Sequence, residues 1–588
     1  MKVTMVSSSD IGGAGYAAVS LLDALNKNEN ISCDMLVRNK HTNHLKIYPV
    51  KGRPLFLDYV QQAYFQQNIK PGHTLLSLMY SDMEEEYLKI CLNYDIIHFH
   101  WIANFVSVES ISYLARQGKK LIWTFHDLNP MTGGCHYSYG CEKYMEFCSN
   151  CSEMVDNKYN ITKGMLLQKK RYLPKNLVVV TPSQWLANCA RKSAVFKKHR
   201  VEVIPNSVAL DIFSSHDRLY AREYWHIPHN AKVILYCAEY LLQVHKGYKY
   251  FIETLRCVRS NPVWKQWVQQ GVIQLLIVGH SETIKNDIQA LSVPCIFTDY
   301  LQNKEILAKA YSAADVTILP SIEDNFPNVM LESLSCGTPV VGFATGGIPE
   351  AIINGQTGFV VPQKNCKALG DAILHILQKD NMREACRKFA EKFFNDKVQT
   401  RKYKILYDDI LSSRSSSTNF YYNKFQMPTD AKKLLAPYLF DTIKYYSRLS
   451  VKQQLLFMNN IKELEDKVLN YMENNWQFME KLPDESIAIW GVGNFAQKLM
   501  SFFSKMRTDL KNKIRGFFDN RNYRKVDFFY ELPILDTDLI ATYNLKMIII
   551  ASLKYEDDIF DQIKKLSLSD TEIIRLGNMY IQKVIFPV

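Results

Sequence analysis

The sequence contains no long apolar run and few residues of the kinds that break folded structure. No stretch approaches the roughly 18 consecutive apolar residues that a membrane-spanning helix needs, so none is expected. Polar residues appear as early as Ser7–Asp10, too soon for the apolar region of a secretory signal, so we expect the chain to stay in the cytoplasm. The 24 glycines and 20 prolines in 588 residues exclude collagen-like and low-complexity architectures.

A disulfide framework is not expected either. The 13 cysteines are an odd number in a large chain that lacks a secretory signal. Hydrophobic residues make up 47% and charged residues 22%, which excludes a mainly disordered chain. The net charge of +12 favours phosphorylated ligands, an anionic membrane surface or nucleic acid. Because no nucleic-acid-binding signature is present, we do not expect a nucleic-acid partner.

Short apolar runs alternate with helical patterns, which predicts α/β domains with parallel sheets. In the first 410 residues the runs are Lys2–Val6, Cys33–Val37, Ile96–Phe99, Leu121–Phe125, Leu177–Val180, Val233–Cys237, Ile273–Val278, Val316–Leu319 and Pro339–Phe343. We predict Rossmann-like domains over 1–210 and 211–410, a linker and helical connector over 411–485, and a smaller Rossmann-like domain over 486–588. The polar segment Ser412–Asn419 indicates the linker.

Three glycines, Gly12, Gly13 and Gly15, follow the first predicted strand. A helical pattern over Tyr16–Asn26 comes next. Glycines at such a place let the backbone approach a ligand closely, and the free amides of a helix start attract an anion. The segment is therefore a candidate anion-binding turn. The alternative is a tight strand-to-helix turn without a ligand.

An acidic loop follows the run Val316–Leu319 and precedes a predicted helix. Asp324 lies in the loop, and Glu332 comes eight residues later, about two helical turns away. Open α/β sheets bind ligands at the carboxyl ends of their strands, where this loop falls. Carboxylates accept hydrogen bonds from sugar hydroxyls, and helix-start amides hold phosphate. The loop is thus a candidate site for a ligand that carries hydroxyl and anionic groups.

The stretch 320–350 resembles the nucleotide-binding half of retaining glycosyltransferases of the GT-B type, family-4 class. Their pattern is an acid, seven intervening residues and a glutamate, then a Gly-x-Pro-Val-Val strand and a Gly-Gly turn. Here it is carried by Asp324, Glu332, Gly337–Val341 and Gly346-Gly347. Asp324 replaces the commoner glutamate, and the Glu-Asp-Asn-Phe-Pro variant resembles a branch of bacterial surface-polysaccharide enzymes. By length and element order, the resemblance covers about residues 1–410.

This resemblance implies a fold, a reaction and its ligands. The fold would be two Rossmann-like domains facing a cleft. The reaction would transfer a sugar, with retention of anomeric configuration, from a nucleotide-diphosphate sugar of the UDP or GDP type to a glycan or lipid-linked glycan, in surface-polysaccharide biosynthesis. No catalytic metal is expected. The enzyme would work in the cytoplasm, peripherally at the inner face of the cell membrane.

The resemblance also implies roles for individual residues. Glu332 would bind the ribose of the nucleotide. Lys246, in the pair Lys246-Gly247, would neutralise the departing diphosphate. The arginine that the family usually carries a few residues earlier is absent, and Glu239 and Tyr240 occupy that neighbourhood. Asp324 would meet the donor sugar and its phosphates together with the three residues that follow it, Asn325, Phe326 and Pro327.

Histidines near two strand ends are further candidates. His126 follows the run Leu121–Phe125 and resembles the family's strand-end histidine that reaches the donor sugar. In the alternative interpretation, Asp127 caps a helix or turn. His98 and His100 alternate along a predicted strand and therefore share one face. We interpret these two as structural or acceptor-side residues.

Four cysteines lie within 17 residues: Cys135, Cys141, Cys148 and Cys151. The last two have the short spacing of a zinc knuckle, and four thiolates can close a tetrahedral structural zinc site. The first spacings are not standard, so free thiols and a redox-sensitive loop remain alternatives. Related glycosyltransferases carry a similar cysteine-rich loop. The cluster therefore predicts a structural zinc site, with the alternatives kept open.

A second glycine motif, Gly491-Val492-Gly493-Asn494-Phe495-Ala496, follows the apolar run Ile487–Trp490. It fits the G-x-G-x-x-A pattern of dinucleotide sites, with Asp519 as the candidate ribose ligand. Gly491 and Gly493 are therefore candidate nucleotide-binding residues. A regulatory or assembly domain is the equal alternative. Two competing functions for the whole chain follow: a non-catalytic nucleotide-sugar-binding or assembly protein, and an NAD-linked sugar-modifying enzyme.

Overall fold

The structure is a computed structural model that describes residues 1–50, 69–70, 75–79, 85–155, 161–280, 284–379 and 381–412, and parts of 482–575. The chain divides into two compact units. The described residues of the first lie within 1–412 and those of the second within 482–575. Within the described ranges, no helix has both the length and the apolar character needed to cross a membrane.

Seven parallel strands form the sheet of the N-terminal domain. They are β1 (Lys2–Ser9), β2 (Ser32–Asn39), β3 (Ile47–Pro49), β4 (Ile96–Phe99), β5 (Lys120–Thr124), β6 (Val178–Thr181) and β7 (Val201–Val203), in the spatial order β3-β2-β1-β4-β5-β6-β7. Val3, Met5 and Ile96 are fully buried. Continuous apolar strands are expected when helices cover both faces of a parallel sheet.

A second parallel sheet follows in the same unit. Its strands are β8 (Lys232–Tyr240), β9 (Ile273–His280), β10 (Cys295–Thr298), β11 (Val316–Leu319), β12 (Val340–Phe343) and β13 (Gly358–Val361), in the order β10-β9-β8-β11-β12-β13. All nine apolar runs predicted as strands overlap strands of these two sheets. The predicted α/β class with two parallel-sheet domains is confirmed.

Helices connect the strands of both sheets. Their bounds are α1 (Gly12–Asn26), α2 (Glu85–Cys91), α3 (Val108–Arg116), α4 (Ile161–Tyr172), α5 (Gln184–Lys192), α6 (Arg218–Tyr224), α7 (Tyr248–Val258), α8 (Pro262–Gln269), α9 (Lys285–Gln289), α10 (Lys304–Ala313), α11 (Asn328–Ser335), α12 (Cys366–Gln378), α13 (Arg383–Phe393) and α14 (Asp396–Ser412). Side-chain caps fix several starts, since Ser183 accepts from the Leu186 amide and Asn303 accepts from the first amides of α10.

Helix α1 begins four residues earlier than predicted, so the glycines form its first turn. Gly12 lies in the left-handed region at φ +77°. A Cβ on Gly15 would stand 2.8 Å from the Asp10 carbonyl carbon and 2.9 Å from the Ser9 oxygen. Only glycine allows this close approach of helix to strand end. The sequence pattern missed the boundary because Gly12 and Gly13 have poor intrinsic helix propensity.

Helix α14 returns to the N-terminal sheet. Tyr403 and Tyr407 are buried in the core beneath that sheet. The hydroxyl of Tyr407 lies 2.8 Å from His98 Nδ1, and the hydroxyl of Tyr403 lies 3.0 Å from Thr124 Oγ1. Helix α13, in contrast, packs in the core of the second domain through Cys386. The chain therefore crosses between the two domains a second time, near residue 396.

The order of strands places a crevice at each sheet. In the first sheet β1 and β4 are neighbours although two strands separate them in sequence, and in the second sheet β8 and β11 are likewise neighbours. Such reversals of strand order open a crevice at the carboxyl ends of the strands. The glycine turn follows β1, and the acidic loop follows β11. Both candidate segments thus lie at these positions.

The second unit has its own parallel sheet. The strands β14 (Ile487–Trp490), β15 (Ile514–Phe518), β18 (Met547–Ile550) and β19 (Glu572–Arg575) have the order β15-β14-β18-β19, and β16 (Phe528–Phe529) pairs with β17 (Leu532–Pro533) in an antiparallel ladder. The apolar run Ile487–Trp490 forms the strand β14. The linker Ser412–Asn419 beyond its first residue, the candidates Gly491 and Gly493, and Asp519 lie outside the described residues.

We predict that the contact of α14 with the sheet contributes to stability. Tyr407→Phe removes the hydroxyl partner of the fully buried His98 and should lower the free energy of unfolding by about 1–3 kcal/mol. Urea titration measures this change. Tyr220→Phe, at an exposed tyrosine, is the control and should change it by less than about 0.5 kcal/mol. Equal effects of the two substitutions would contradict the prediction.

Candidate active site

A cavity of about 490 Å³ lies between the two sheets of the first unit. Both domains line it, and the crevices of both sheets open into it. It brings together all the site residues predicted in this unit apart from the four cysteines: Gly12, Gly13, Gly15, His126, Lys246, Asp324, Asn325, Phe326, Pro327 and Glu332. Residues far apart in sequence therefore share one crevice. Their individual roles stay predictions.

The acidic loop presents an ion pair to the cavity. Lys246 Nζ lies 2.8 Å from Asp324 Oδ2. Gly247 follows at φ +74°, and a Cβ there would stand 1.8 Å from the Pro320 oxygen. Glycine is thus required for the turn Val244–Lys246 to lie against the end of β11. The Lys-Gly pair carries a cation into the cleft, and Asp324 fixes its position.

Glu332 lies in the second turn of α11, as the spacing from Asp324 predicts. The helix begins at Asn328, directly after Pro327. The hydroxyl of Tyr311 donates a hydrogen bond of 2.8 Å to Glu332 Oε2. Burial raises the pKa of Glu332. Tyr311 orients this half-buried carboxylate at the wall of the cavity, where it can accept further hydrogen bonds from a ligand.

The start of α1 forms the opposite wall. Asn328 Nδ2 donates to the Gly13 oxygen at 3.1 Å, and the hydroxyls of Tyr16 and Tyr300 lie 3.0 Å apart. Both contacts join the two domains. A helix start carries free amides and a partial positive charge. This wall of the cavity therefore suits an anionic group.

His126 lines the cavity and contacts a second histidine beneath it. His126 Nε2 lies 3.1 Å from Nδ1 of the buried His100, and the two rings are stacked. His98, on the same strand face, is bonded to Tyr407 and Thr124. The shared face of His98 and His100 is confirmed, and His98 is structural. Burial lowers the pKa of His126 to about 4.

Asp127 closes a turn, as the alternative interpretation of this segment expects. Its Oδ1 accepts from the Asn129 amide at 2.8 Å. Its Oδ2 accepts from Trp101 Nε1 at 2.7 Å and lies 2.6 Å from His136 Nδ1. These hydrogen bonds and the charge of His136 hold the pKa of Asp127 below its usual range. Both His126 and Asp127 line the cavity, but both carboxylate oxygens of Asp127 already accept hydrogen bonds within the protein.

The four cysteines do not form a metal site in the described residues. All four thiols are free, and nowhere in the described ranges do three or more His, Cys, Asp or Glu side chains have an arrangement that can hold a metal ion. Cys148 Sγ instead accepts the Gly133 amide at 3.2 Å, and burial raises its pKa to about 11. The predicted structural zinc at Cys135, Cys141, Cys148 and Cys151 is not supported. The thiol of Cys148 is thus held by the amide of Gly133.

A buried lysine holds the segment that directly precedes the four cysteines. Lys169 Nζ donates to the Asn129 oxygen at 2.5 Å and to the Thr132 oxygen at 2.9 Å. Burial lowers the pKa of Lys169 to about 8. The segment from Asn129 to Thr132 is thus fixed by hydrogen bonds to its carbonyl groups. The sequence pattern gave no sign of Lys169, since lysines are exposed by default.

Aromatic residues of the cavity were also missed. Tyr137 stacks on His245 with ring centroids 3.9 Å apart, and Lys304 lies over the ring of Tyr16. These four residues and Tyr300 come from separate loops and helices. No spacing rule connects them.

The fold and the cleft define a two-domain protein of the GT-B type. The family described as Glycosyltransferase Family 4 matches residues 11–212, and the family described as Glycosyl transferases group 1 matches residues 218–393. Together the two matches span nearly two thirds of the chain. The N-terminal part of this chain therefore belongs to the group 1, family 4 glycosyltransferases. A third family, described as C2185-like, N-terminal, matches residues 484–574.

Curated proteins match part of this chain. The D-inositol 3-phosphate glycosyltransferase of Geodermatophilus obscurus is 28% identical over 238 residues, 38% of this chain and 52% of that protein. The enzyme of the same name from Mycobacteroides abscessus is 28% identical over 30% of this chain and 39% of its own length. The N-acetyl-alpha-D-glucosaminyl L-malate synthase of Bacillus anthracis is 28% identical over 19% of this chain and 30% of its own length. The chain thus spans about half the length of these relatives or less.

Solved structures match the larger part of this chain at low identity. Sucrose-phosphate synthase from Thermosynechococcus elongatus has 20% identity and a TM-score of 0.49, covering 70% of this chain and 99% of that one. Anabaena Alr3699/HepE in complex with UDP-glucose has 14% identity and a TM-score of 0.49, covering 70% and 100%. WaaG, a glycosyltransferase involved in lipopolysaccharide biosynthesis, has 14% identity and a TM-score of 0.47, covering 70% of this chain and 100% of that one. These values are too low to transfer a substrate to this chain.

We predict that acidification destabilises the protein through its buried neutral histidines. Burial lowers the pKa of His98 to about 3 and that of His126 to about 4, whereas an unfolded histidine titrates near 6.5. The unfolded chain binds more protons between these values, so stability falls as the pH falls through this window. Each histidine should contribute at most about 2 kcal/mol between pH 6.5 and 5.

Urea titrations at pH 7 and pH 5 measure the effect. His98→Asn should make the loss of stability on acidification smaller than in the wild-type protein. His41→Asn, at an exposed histidine, is the matched control and should keep the wild-type loss. If His98→Asn and the wild-type protein lose the same stability between the two pH values, His98 does not titrate as argued.

Proposed function

We propose that the chain transfers a sugar, with retention, from a nucleotide-diphosphate sugar to a hydroxyl of a glycan or lipid-linked glycan. The observation that carries the proposal is the single cavity that joins Glu332, the Lys246–Asp324 pair, His126 and the amino end of α1. The match of the chain to the two glycosyltransferase families supports the same class of reaction. The domain over 1–210 would hold the acceptor and that over 211–410 the donor.

The donor would lie along the acidic loop. Glu332 would accept hydrogen bonds from the ribose hydroxyls, since Tyr311 already orients its carboxylate. Lys246 would stabilise the negative charge that develops on the diphosphate, together with the amides at the starts of α1 and α11. Asp324 and His126 would meet the sugar hydroxyls. Metal chemistry has no part in these steps as proposed.

Retention is proposed to proceed on one face of the sugar. The bond between the anomeric carbon and the β-phosphate oxygen breaks, and its electron pair leaves with the diphosphate. The acceptor oxygen bonds to the same face of that carbon, and its proton passes to a phosphate oxygen of the leaving group. Asp127 is unsuited as a covalent nucleophile because both its oxygens already accept hydrogen bonds. With no covalent nucleophile invoked, the donor phosphate would serve as the base.

The remaining assignments extend this proposal to the cell. The acceptor would belong to surface-polysaccharide biosynthesis, and the net charge of +12 suits an anionic membrane face on the cytoplasmic side. The relatives are named for inositol phosphate and malate, so the test includes these two small acceptors. The parallel strands β14, β15, β18 and β19 suit a small Rossmann-like domain over 486–588, which would serve in assembly or ligand binding.

We predict that a UDP- or GDP-sugar stabilises the protein thermally and is converted to nucleoside diphosphate when an acceptor is present. Glu332→Ala should weaken donor binding about 10- to 100-fold, because about 1.5–3 kcal/mol of charged hydrogen bonds to the ribose is lost. Glu305→Ala, at an exposed glutamate on α10, is the matched control and should bind as the wild-type protein does. Thermal shift and diphosphate release measure both variants.

Other results would favour the competing functions. Stabilisation by a nucleotide sugar without release of diphosphate with any acceptor would indicate a non-catalytic binding protein. Stabilisation by NAD alone would indicate an enzyme centred on the second unit. Wild-type transfer by Glu332→Ala would refute the site.

We also predict the stereochemistry of the product. With an α-linked donor, proton NMR of the first-formed product should show an α-linkage, because bond formation and bond breaking occur on one face. A β-linked product would contradict the proposed mechanism but not the assignment of the donor site.

A further inference from the structure

Glu323 is a buried carboxylate next to the donor site that does not line the cavity. It precedes Asp324, where the family pattern begins, and it is 6% exposed. Its Oε1 accepts the Ser138 amide at 2.6 Å, and its Oε2 accepts the Tyr139 amide at 2.6 Å. Both amides belong to the other domain. Glu323 thus joins the acidic loop to the cysteine loop, which we define as residues 135–151.

The geometry of this contact requires a carboxylate. A buried charge is costly unless its oxygens are hydrogen-bonded, and bonds to a charged acceptor are stronger than neutral ones. Two amide donors face the two oxygens of Glu323. A glutamine of the same size has one oxygen and one NH2 group. One of the two backbone amides, Ser138 or Tyr139, would then face a second donor instead of an acceptor.

The backbone of the cysteine loop is bent to make the contact. Tyr139 has φ +47° and Gly140 has φ +84°. A non-glycine residue in the left-handed region costs about 1–2 kcal/mol. The bend presents two successive amides to one side chain of the opposite domain. The hydrogen bonds to Glu323 offset this strain.

The residue before these amides covers the cavity. Tyr137 lines the cavity and stacks on His245, with ring centroids 3.9 Å apart and planes 15° apart. His245 directly precedes Lys246, which pairs with Asp324. The stack therefore lies beside the charges assigned to the donor diphosphate. Because Tyr137 directly precedes Ser138 and Tyr139, the hydrogen bonds that hold these two amides also hold the ring of Tyr137 at the cavity.

We propose that Glu323 is a positioning residue that anchors the cysteine loop to the donor-side domain and thereby holds Tyr137 over the diphosphate end of the cleft. This inference rests on the proposed function. The cover excludes water from the anomeric carbon while the acceptor hydroxyl enters. Without it, the oxygen of a water molecule bonds to that carbon, the bond to the β-phosphate oxygen breaks with its electron pair leaving on the diphosphate, and the water's proton passes to a phosphate oxygen, so that free sugar and nucleoside diphosphate are released.

The test compares hydrolysis with transfer in the full chain. For Glu323→Gln we expect the ratio of free sugar to transferred sugar to rise about fivefold or more, and kcat for transfer to fall about tenfold. Affinity for UDP or GDP should stay within about twofold, since Glu332 and Lys246 are untouched. A general loss of folding would instead weaken both binding and turnover.

Glu350→Gln is the matched control. Glu350 also accepts two amides across the domains, from Gln184 and Trp185 at 2.7 Å each, but it is exposed and does not line the cavity. Its ratio of hydrolysis to transfer should stay within about twofold of wild type. A wild-type ratio in Glu323→Gln, or an equal rise in both variants, would overturn the proposal.

Hydrogen exchange of the wild-type chain gives a second measurement that needs no variant. The amides of Ser138 and Tyr139 should exchange slowly, and more slowly still with UDP or GDP bound. Exchange of both amides at the rate expected for unprotected, solvent-exposed amides would overturn the inference. If no donor is turned over but these amides are protected by nucleotide, the proposed reaction fails and the anchor stands.

Discussion

The structure depends on two parallel sheets whose carboxyl edges face one cavity. A parallel strand ends with carbonyl groups and loops at the same edge, and each helix that follows begins there with free amides. In the first domain this edge presents the start of α1, and in the second it presents the acidic loop and α11. Neither edge alone surrounds a ligand. The cavity exists because the two are opposed.

Polar contacts to backbone groups hold the two edges together. Glu323 and Glu350 each accept two amides of the first domain, and Asn325 bridges the Ser183 hydroxyl and the His126 oxygen. Contacts of this kind are directional and release more readily than a packed apolar core. They therefore suit domains that close around a ligand and open again. Helix α14, which packs in the first core, gives the pair a permanent connection.

Much of the fold and part of the site could be predicted from the sequence. Apolar runs gave the strands because a buried parallel strand has to be apolar on both faces. Glu332 lies in the helix predicted to follow the acidic loop, because that helix begins at Asn328, directly after Pro327. The anchor at Glu323, the stack of Tyr137 on His245 and the bond of Tyr407 to His98 were not foreseen. Each joins residues that only the tertiary fold brings together, and none has a characteristic spacing. The four cysteines show the reverse case: only the last pair has a familiar spacing, and among the described residues no group that can hold a metal ion is found.

The most direct test of the account is a crystal structure of the chain with UDP or GDP bound. The account predicts the ribose on Glu332 and the diphosphate between Lys246 and the first turn of α1, in the cavity that both domains line. A nucleotide bound outside this cavity, for example on the sheet of the second unit, would contradict it.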